Sequence, residues 1–315
     1  MIASWVHNLD PFAVQFGNGF GVRWYGLAYL AAFAAAYFVY RHLARRGLSV
    51  IPADKVGDFI TGCAVFGVLI GGRLGYMLFY DFNGFLRDPL VFFRVWEGGM
   101  SAHGGILGVV VYTLWYAWRH HVNWPGLGDN LVVGSALGLF FGRMANFING
   151  ELYGRPTEVA WAVKFPQELY EAPVETQREV LGRTREMFAG PVGLDEVLAA
   201  VPDSGDLARL VGEFLVPRHP SQIYEALLEG LLLFAVLWIV RTRVRVPNGV
   251  ITGLFFLGYA LTRSLAESFR FPDAGYVGLL TKGQFLSIFL LLIGLGFLAA
   301  AWRRPVYPPA WSGRG

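Results

Sequence analysis

Gly142-Arg143-Met144-Ala145-Asn146-Phe147-Ile148-Asn149-Gly150-Glu151-Leu152-Tyr153-Gly154 closes a long apolar segment that begins near Leu127. It places an arginine, two asparagines and a glutamate where lipid opposes them. An arginine near the centre of a membrane helix costs roughly 2.5–3.5 kcal/mol on insertion scales. Buried amides also need hydrogen-bond partners. The stretch must therefore face protein, water or a ligand, and the remaining chain reads as its surroundings.

Those surroundings are apolar. Of 315 residues, 55% are hydrophobic and only 16% are charged, against about 25% charged in soluble domains. The mean hydropathy is +0.45. This is the composition of an all-α polytopic membrane protein. The formal net charge is +3, and the basic residues flank apolar segments, which reads as topology and not as a nucleic-acid surface. The lone Cys63 allows no internal disulfide. The six histidines form no visible metal-ligand cluster. No basic n-region precedes the first apolar stretch, which predicts a retained helix and not a cleaved signal.

A membrane span needs about 20 mostly apolar residues. Seven candidates fit: 20–40, 58–80, 102–118, 127–149, 222–240, 249–271 and 285–302. Residues 81–98 mix Pro, Gly, Arg and aromatics, as in a surface or re-entrant segment. The chain divides into 1–151 (four helices and the loop quoted above), 152–219 (a charged, proline-containing head domain) and 220–315 (three helices). Amphipathic patches near 172–188 and 192–215 predict short helices in the head. Basic clusters follow the first, third, fifth and seventh spans. By the positive-inside rule the N-terminus and the head lie outside and the C-terminus inside. Glycine recurs at every fourth residue in Gly67/Gly71/Gly75 and Gly134/Gly138/Gly142, a spacing that lets helix backbones approach closely.

This topology collects the costly polar groups in one outer layer: Tyr25, Arg73, His103, Arg143, Asn146, Asn149, Gln222, Glu225, Tyr259, Arg263, Glu267 and Arg270. At about 100° per residue, the last four fall within an arc of roughly 80°, and Arg143, Asn146 and Asn149 within roughly 120°. Arg263 and Glu267 can pair at i,i+4. Plainer readings stand beside the functional one. Arg73 and Arg270 could be structural partners, Tyr25 an interfacial anchor, His103 a helix cap, and Glu225 or Glu229 mere neutralisers. Taken together, Arg143 and Arg263 bring more positive charge than Glu267 and Glu151 clearly cancel, which points to an anionic ligand. Arginine's planar fork suits phosphate. The residues alone thus describe an outer-side membrane site for a phosphate-bearing molecule, with His103, Glu151 and Tyr25 as acid–base candidates.

The signature Gly142-Arg143-x-Ala145-Asn146-Phe147-Ile148-Asn149-Gly150-Glu151-x-x-Gly154-Arg155 resembles that of the prolipoprotein diacylglyceryl transferases. Further blocks agree in order along the chain: Trp24-Tyr25-Gly26-Leu27, His103-Gly104-Gly105, His219-Pro220-Ser221-Gln222-Ile223-Tyr224-Glu225, and Gly258-Tyr259 through Arg263, Glu267, Arg270, Pro272 and Asp273. The resemblance implies seven helices, an extracytoplasmic head, and a place in the bacterial plasma (inner) membrane with the active site on the extracytoplasmic side. It implies transfer of the diacylglyceryl group of phosphatidylglycerol to the lipobox cysteine thiol of a prolipoprotein, with thioether formation and release of glycerol phosphate. Arg143 and Arg263 are then expected to stabilise the phosphate leaving group, and His103 to act as general base. Asn146, Asn149, Glu151 and Gly154 would hold the headgroup. Tyr25 and Tyr259 would contact phosphate or glycerol, and Glu267 would orient Arg263. No metal or organic cofactor is called for. The rival from another class is a flippase or transporter of an anionic lipid or metabolite, which predicts polar groups through the full membrane depth.

Overall fold

The computed structural model describes residues 4–17, 20–94, 98–272 and 276–312. Asp273 of the last sequence block lies outside them, as do residues 95–97 of the segment read as surface or re-entrant.

Each expected span is a helix. Among the described residues, five are long and apolar enough to cross a membrane: α1 (Trp24–Arg45), α2 (Val56–Phe79), α4 (Trp124–Ile148), α8 (Ser221–Arg243) and α10 (Lys282–Arg303). The helices α3 (Ala102–His120) and α9 (Val250–Glu267) occupy the other two expected spans. Both are shorter, and polar residues dilute their apolar run: His103, Arg119 and His120 in α3, Arg263 and Glu267 in α9. The structure thus supports a polytopic membrane protein with five clear spans. The first helix starts at Trp24 and not at residue 20, because Phe20–Arg23 (β3) pairs antiparallel with Phe12–Gly17 (β2). The stretches Cys63–Ile70 of α2 and Ala226–Leu232 of α8 have π-helical turns.

The chain forms two compact units. The first comprises Met1–Ala32, Gly138–Leu233 and Gly258–Leu291. Within it, β1 (Trp5–Val6) pairs in parallel with β4 (Val163–Lys164). The amphipathic patches at 172–188 and 192–215 are α5 (Val174–Thr184), α6 (Leu194–Ala200) and α7 (Gly205–Gly212). They bury Val180, Val197, Leu207 and Val211 around Leu169. Each such aliphatic contributes roughly 1.5–3 kcal/mol by leaving water. Gly138 packs on Ala32, whereas a side chain added at Gly142 would meet nothing within 4 Å.

The second unit comprises Phe33–Leu137, Phe234–Leu257 and Leu292–Gly315. Its centre is an aromatic cluster of Tyr40, Phe59, Tyr112 and Tyr116 with Leu127. Here α2 and α3 touch along glycine. A Cβ on Gly71 would lie 2.7 Å from the Gly104 carbonyl oxygen, and one on Gly75 would lie 2.5 Å from the Gly104 Cα. Only residues without a side chain permit that approach. Arg73 is buried and structural: its guanidinium donates to the carbonyls of Val91, Phe92, Arg94, Gly98 and Gly99. A second buried cluster joins α4, α8 and α9. The Asp129 carboxylate accepts from Gly249 N, Thr252 N and Thr252 Oγ1 at 2.8–2.9 Å. Arg241 lies 3.5 Å from Asp129 and donates to Asn130 Oδ1 and to the Leu48 carbonyl, both at 2.8 Å.

Candidate functional site

The site is built in the first unit from α4, the loop after it, α8 and α9. Helical spacing projects Arg143 from α4, Glu225 and Glu229 from α8, and Arg263 and Glu267 from α9. Arg143 donates from Nε and Nη2 to Glu229 Oε2 at 3.2 and 3.0 Å. It also lies 3.0 Å from Glu225. Arg263 reaches Glu225 at 2.8 Å, Glu229 at 3.4 Å and Glu267 at 3.0 Å. Arg270, just beyond α9, reaches Glu225 at 3.2 Å. The i,i+4 ion pair expected between Arg263 and Glu267 is therefore present. Tyr259 is in electrostatic contact with Arg143, Arg263, Glu225 and Glu229.

This network corrects the expected surplus of positive charge. The plainer reading of Glu225 and Glu229, as neutralisers of arginines, is what the structure shows: both are fully buried and each bridges at least two arginines. Among the described residues, three guanidinium groups meet three carboxylates here. Their signal in the sequence was the i,i+4 glutamate pair within an otherwise apolar run. The opportunity for an anion is geometric: the side chains of Arg143 and Arg263 keep 15% and 14% exposure, whereas both bridging glutamates have none. Forked donors thus face the open side and acceptors lie behind them.

The end of α4 builds the second part. Asn146 Nδ2 donates to both Tyr25 Oη and Glu151 Oε1 at 2.7 Å. Residue 25 opens α1, residue 146 lies near the end of α4, and residue 151 sits in the loop. The chain reverses through Gly150 (φ 69°) and Leu152 (φ 60°), in the left-handed region. The side-chain oxygen Oδ1 of Asn149 is buried and has no hydrogen-bond partner among the described residues. The segment 218–222 then straps this loop down. Gln222 Nε2 donates to the Glu151 carbonyl at 2.6 Å, Ser221 Oγ to that of Leu152 at 3.0 Å, and Arg218 Nη1 to that of Gly154 at 3.2 Å. Gly154 N donates to the His219 carbonyl at 2.9 Å. A Cβ at Gly154 would lie 2.5 Å from the His219 oxygen and 2.6 Å from that of Phe269, so only glycine fits. The His-Pro-Ser-Gln block is thus the clamp of the signature loop.

Two positions depart from what the sequence suggested. His103 belongs to the second unit, in the first turn of α3, with its side chain exposed. It does not cap that helix: Ser101 Oγ does, accepting from Gly104 N at 3.1 Å. His7 drew no notice in the sequence. It is 2% exposed, stacks on Phe165 at 5.4 Å and meets Phe147 edge-on at 5.5 Å. Burial pushes its imidazole pKa down to about 4, so it supports the end of α4 as a neutral ring. Nearby, burial and then the Glu171 carboxylate push the Tyr153 hydroxyl upward. Tyr153 Oη donates to Glu171 at 3.1 Å.

A sequence profile of the prolipoprotein diacylglyceryl transferases matches residues 11–300. Named phosphatidylglycerol–prolipoprotein diacylglyceryl transferases align over nearly the whole length. That of Bdellovibrio bacteriovorus is 40% identical over 98% of this chain and 97% of its own. That of Xylella fastidiosa is 42% identical over 97% of both. That of Rhodospirillum centenum is 41% identical over 98% and 97%. With a profile covering most of the chain and identity of this order from end to end, the chain belongs to the prolipoprotein diacylglyceryl transferase family.

Proposed function

We propose that this protein transfers the diacylglyceryl group of phosphatidylglycerol to the lipobox cysteine of prolipoproteins, and that the Arg143–Arg263 pair drives the step. The carrying observation is the pair of forked guanidiniums backed by shared, fully buried glutamates. The lipobox thiol gives up its proton, and the thiolate attacks the glyceryl CH₂ that bears the phosphate ester. A C–S bond forms, the C–O bond breaks, and the electron pair leaves on glycerol phosphate. Negative charge grows on that leaving group. Donors fixed in advance in a low-dielectric site stabilise such charge without reorganising. Glu225 and Glu229 hold both arginines in place before the lipid arrives, and Glu267 orients Arg263.

His103 takes the thiol proton in this reading. A free thiol has a pKa of about 8.5, so a base or a positive field is needed near neutrality. The N-terminus of α3 supplies the positive end of a helix dipole beside that histidine. Tyr25, Asn146 and Glu151 form a polar trio for the glycerol headgroup, joined by Asn149 and by the loop that Gly154 closes. Tyr259 contacts the phosphate. Seven crossings, with the N-terminus and the 152–219 head on the extracytoplasmic face of the plasma (inner) membrane, place the reaction where exported prolipoproteins emerge.

The test uses purified protein in detergent with phosphatidylglycerol and a single-cysteine lipobox peptide, followed by mass spectrometry. The peptide gains the diacylglyceryl mass with the parent protein, and loses that gain with well-folded Arg143→Ala and Arg263→Ala. Lipid binding with no mass gain from the parent would overturn the reading in favour of an anionic-lipid transporter.

A further inference from the structure

We propose that His7, which lies outside the charge network, is a positioning residue for the signature loop: its ring N–H anchors the Phe147 carbonyl, and that anchor sets where Asn146 and Glu151 meet the lipid headgroup. The inference rests on the transferase reading and adds to it a residue from the N-terminal segment. Backbone pairing delivers the ring. Trp5 and Val6 pair in parallel with Val163 and Lys164, and His7 N donates to the Lys164 carbonyl at 2.8 Å. Val163 and Arg218 exchange backbone hydrogen bonds at 2.9 Å in both directions. One short strand thus holds both the His7 ring and the 218–222 clamp.

The ring sits in an aromatic box. Phe165 stacks on it at 5.4 Å, Phe147 meets it edge-on at 5.5 Å, and Trp5 lies tilted at 5.5 Å. Its Nε2 is buried and has no hydrogen-bond partner among the described residues. A neutral imidazole has a single N–H, and burial keeps this one neutral down to about pH 4. The ring hydrogen-bonds the backbone of Phe147. With Nε2 unpartnered, the bond runs from Nδ1–H to the carbonyl. Packing by itself asks only for a ring, and burying a nitrogen without a partner opposes folding. A phenylalanine would avoid that cost, so the N–H is what the histidine adds. The carbonyl it meets lies at the turning point of the chain. Phe147 O also accepts from Gly150 N at 2.9 Å, and Gly150 has the left-handed φ of 69° that reverses the loop. One residue earlier, the Asn146 carbonyl accepts from Glu151 N at 3.1 Å, and the Asn146 side chain holds Tyr25 and Glu151 at 2.7 Å. The last carbonyls of a helix have no donor within it. Here the N-terminal segment supplies one at the point from which the headgroup trio is hung. A misplacement of about 1 Å at such a point can cost on the order of 10²-fold in rate.

Two substitutions separate the N–H from the ring. His7→Phe keeps a ring and removes the donor, whereas His7→Asn keeps a donor near the Nδ1 position and removes the ring. In the transfer assay with full-length protein at neutral pH, His7→Phe should lower kcat/KM for phosphatidylglycerol about tenfold. Its KM for the lipobox peptide and its melting temperature should stay close to the parent's. His7→Asn should melt several degrees lower, yet restore transfer per folded molecule to within about twofold of the parent. A packing role alone predicts the reverse order, or activity that tracks the melting temperature, and either result would overturn the proposal. Hydrogen exchange without substrate gives a readout that needs no turnover. The Gly150 amide should exchange at least about fivefold faster in His7→Phe than in the parent or in His7→Asn. Equal exchange in all three would remove the anchor. A parent that shows this exchange pattern but gives no mass gain would defeat the transferase reading and leave the anchor standing.

Discussion

Two of the buried ionic clusters among the described residues are built to opposite ends. In the second unit, Asp129 and Arg241 are both fully buried. The carboxylate is saturated by three donors from the start of α9, and the guanidinium turns to Asn130 and the Leu48 carbonyl. Arg241 Nη1 makes no hydrogen bond among the described residues and lies 3.5 Å from Asp129. In the first unit, Glu225 and Glu229 are equally buried, but the arginines they hold retain an exposed edge. The carboxylates are shared among arginines, and no backbone donor reaches them among the described residues. A cluster closed on itself fixes helix ends; a cluster closed on one side holds charge ready for a ligand. Burial of an ionic group alone therefore does not mark a site, and the open edge does.

The comparison breaks first at Arg143. Arg143→Ala should lower transfer by about 10²–10³-fold, the scale for removing one preorganised donor of developing charge. The mass-spectrometric assay reads this, and Arg143→Lys should recover only part of it because the fork is lost. If activity fell only as far as the folded fraction, the two clusters would be alike. Arg241→Ala should do the reverse. It strands a buried carboxylate at a cost of about 3–5 kcal/mol, seen as a lower melting temperature, with transfer per folded molecule close to the parent's.

A smaller effect is tied to pH. His7 titrates near 6.5 when unfolded and at about 4 when folded. The unfolded chain thus binds the extra proton first as pH falls. The stability His7 confers is complete above about pH 6.5 and is lost progressively down to about pH 4, by at most about 3 kcal/mol. Melting temperatures across that window should drop for the parent and flatten for His7→Phe. The smallest expected change is Tyr25→Phe. It removes one acceptor of Asn146 and should cost about 1 kcal/mol, a several-fold loss of transfer with little change in melting temperature.

Long apolar runs and their basic ends are written locally, so the helices were legible from the sequence, and most differ from the structure by only a few residues at either end. The short strand Phe20–Arg23 was not, because its pairing partner Phe12–Gly17 decides it. In the candidate site, Arg143, Asn146 and Arg263 stood out because lipid makes them costly. Glu225 and Glu229 were legible only as neutralisers, because which arginines a glutamate bridges depends on what the packing delivers to it. His7 was silent because a lone histidine near a terminus carries no periodic signal; only the rings of Phe147 and Phe165 around it give it a place.

The sequence by itself determined that this is a polytopic membrane protein of the diacylglyceryl transferase family, since hydropathy and motif order are properties of the chain. Tertiary structure alone decided that the charges balance, that residues 218–222 clamp the signature loop, and that Arg73 satisfies backbone carbonyls. Those outcomes depend on which groups from distant segments come within about 3 Å of one another, a distance that no spacing along the chain specifies.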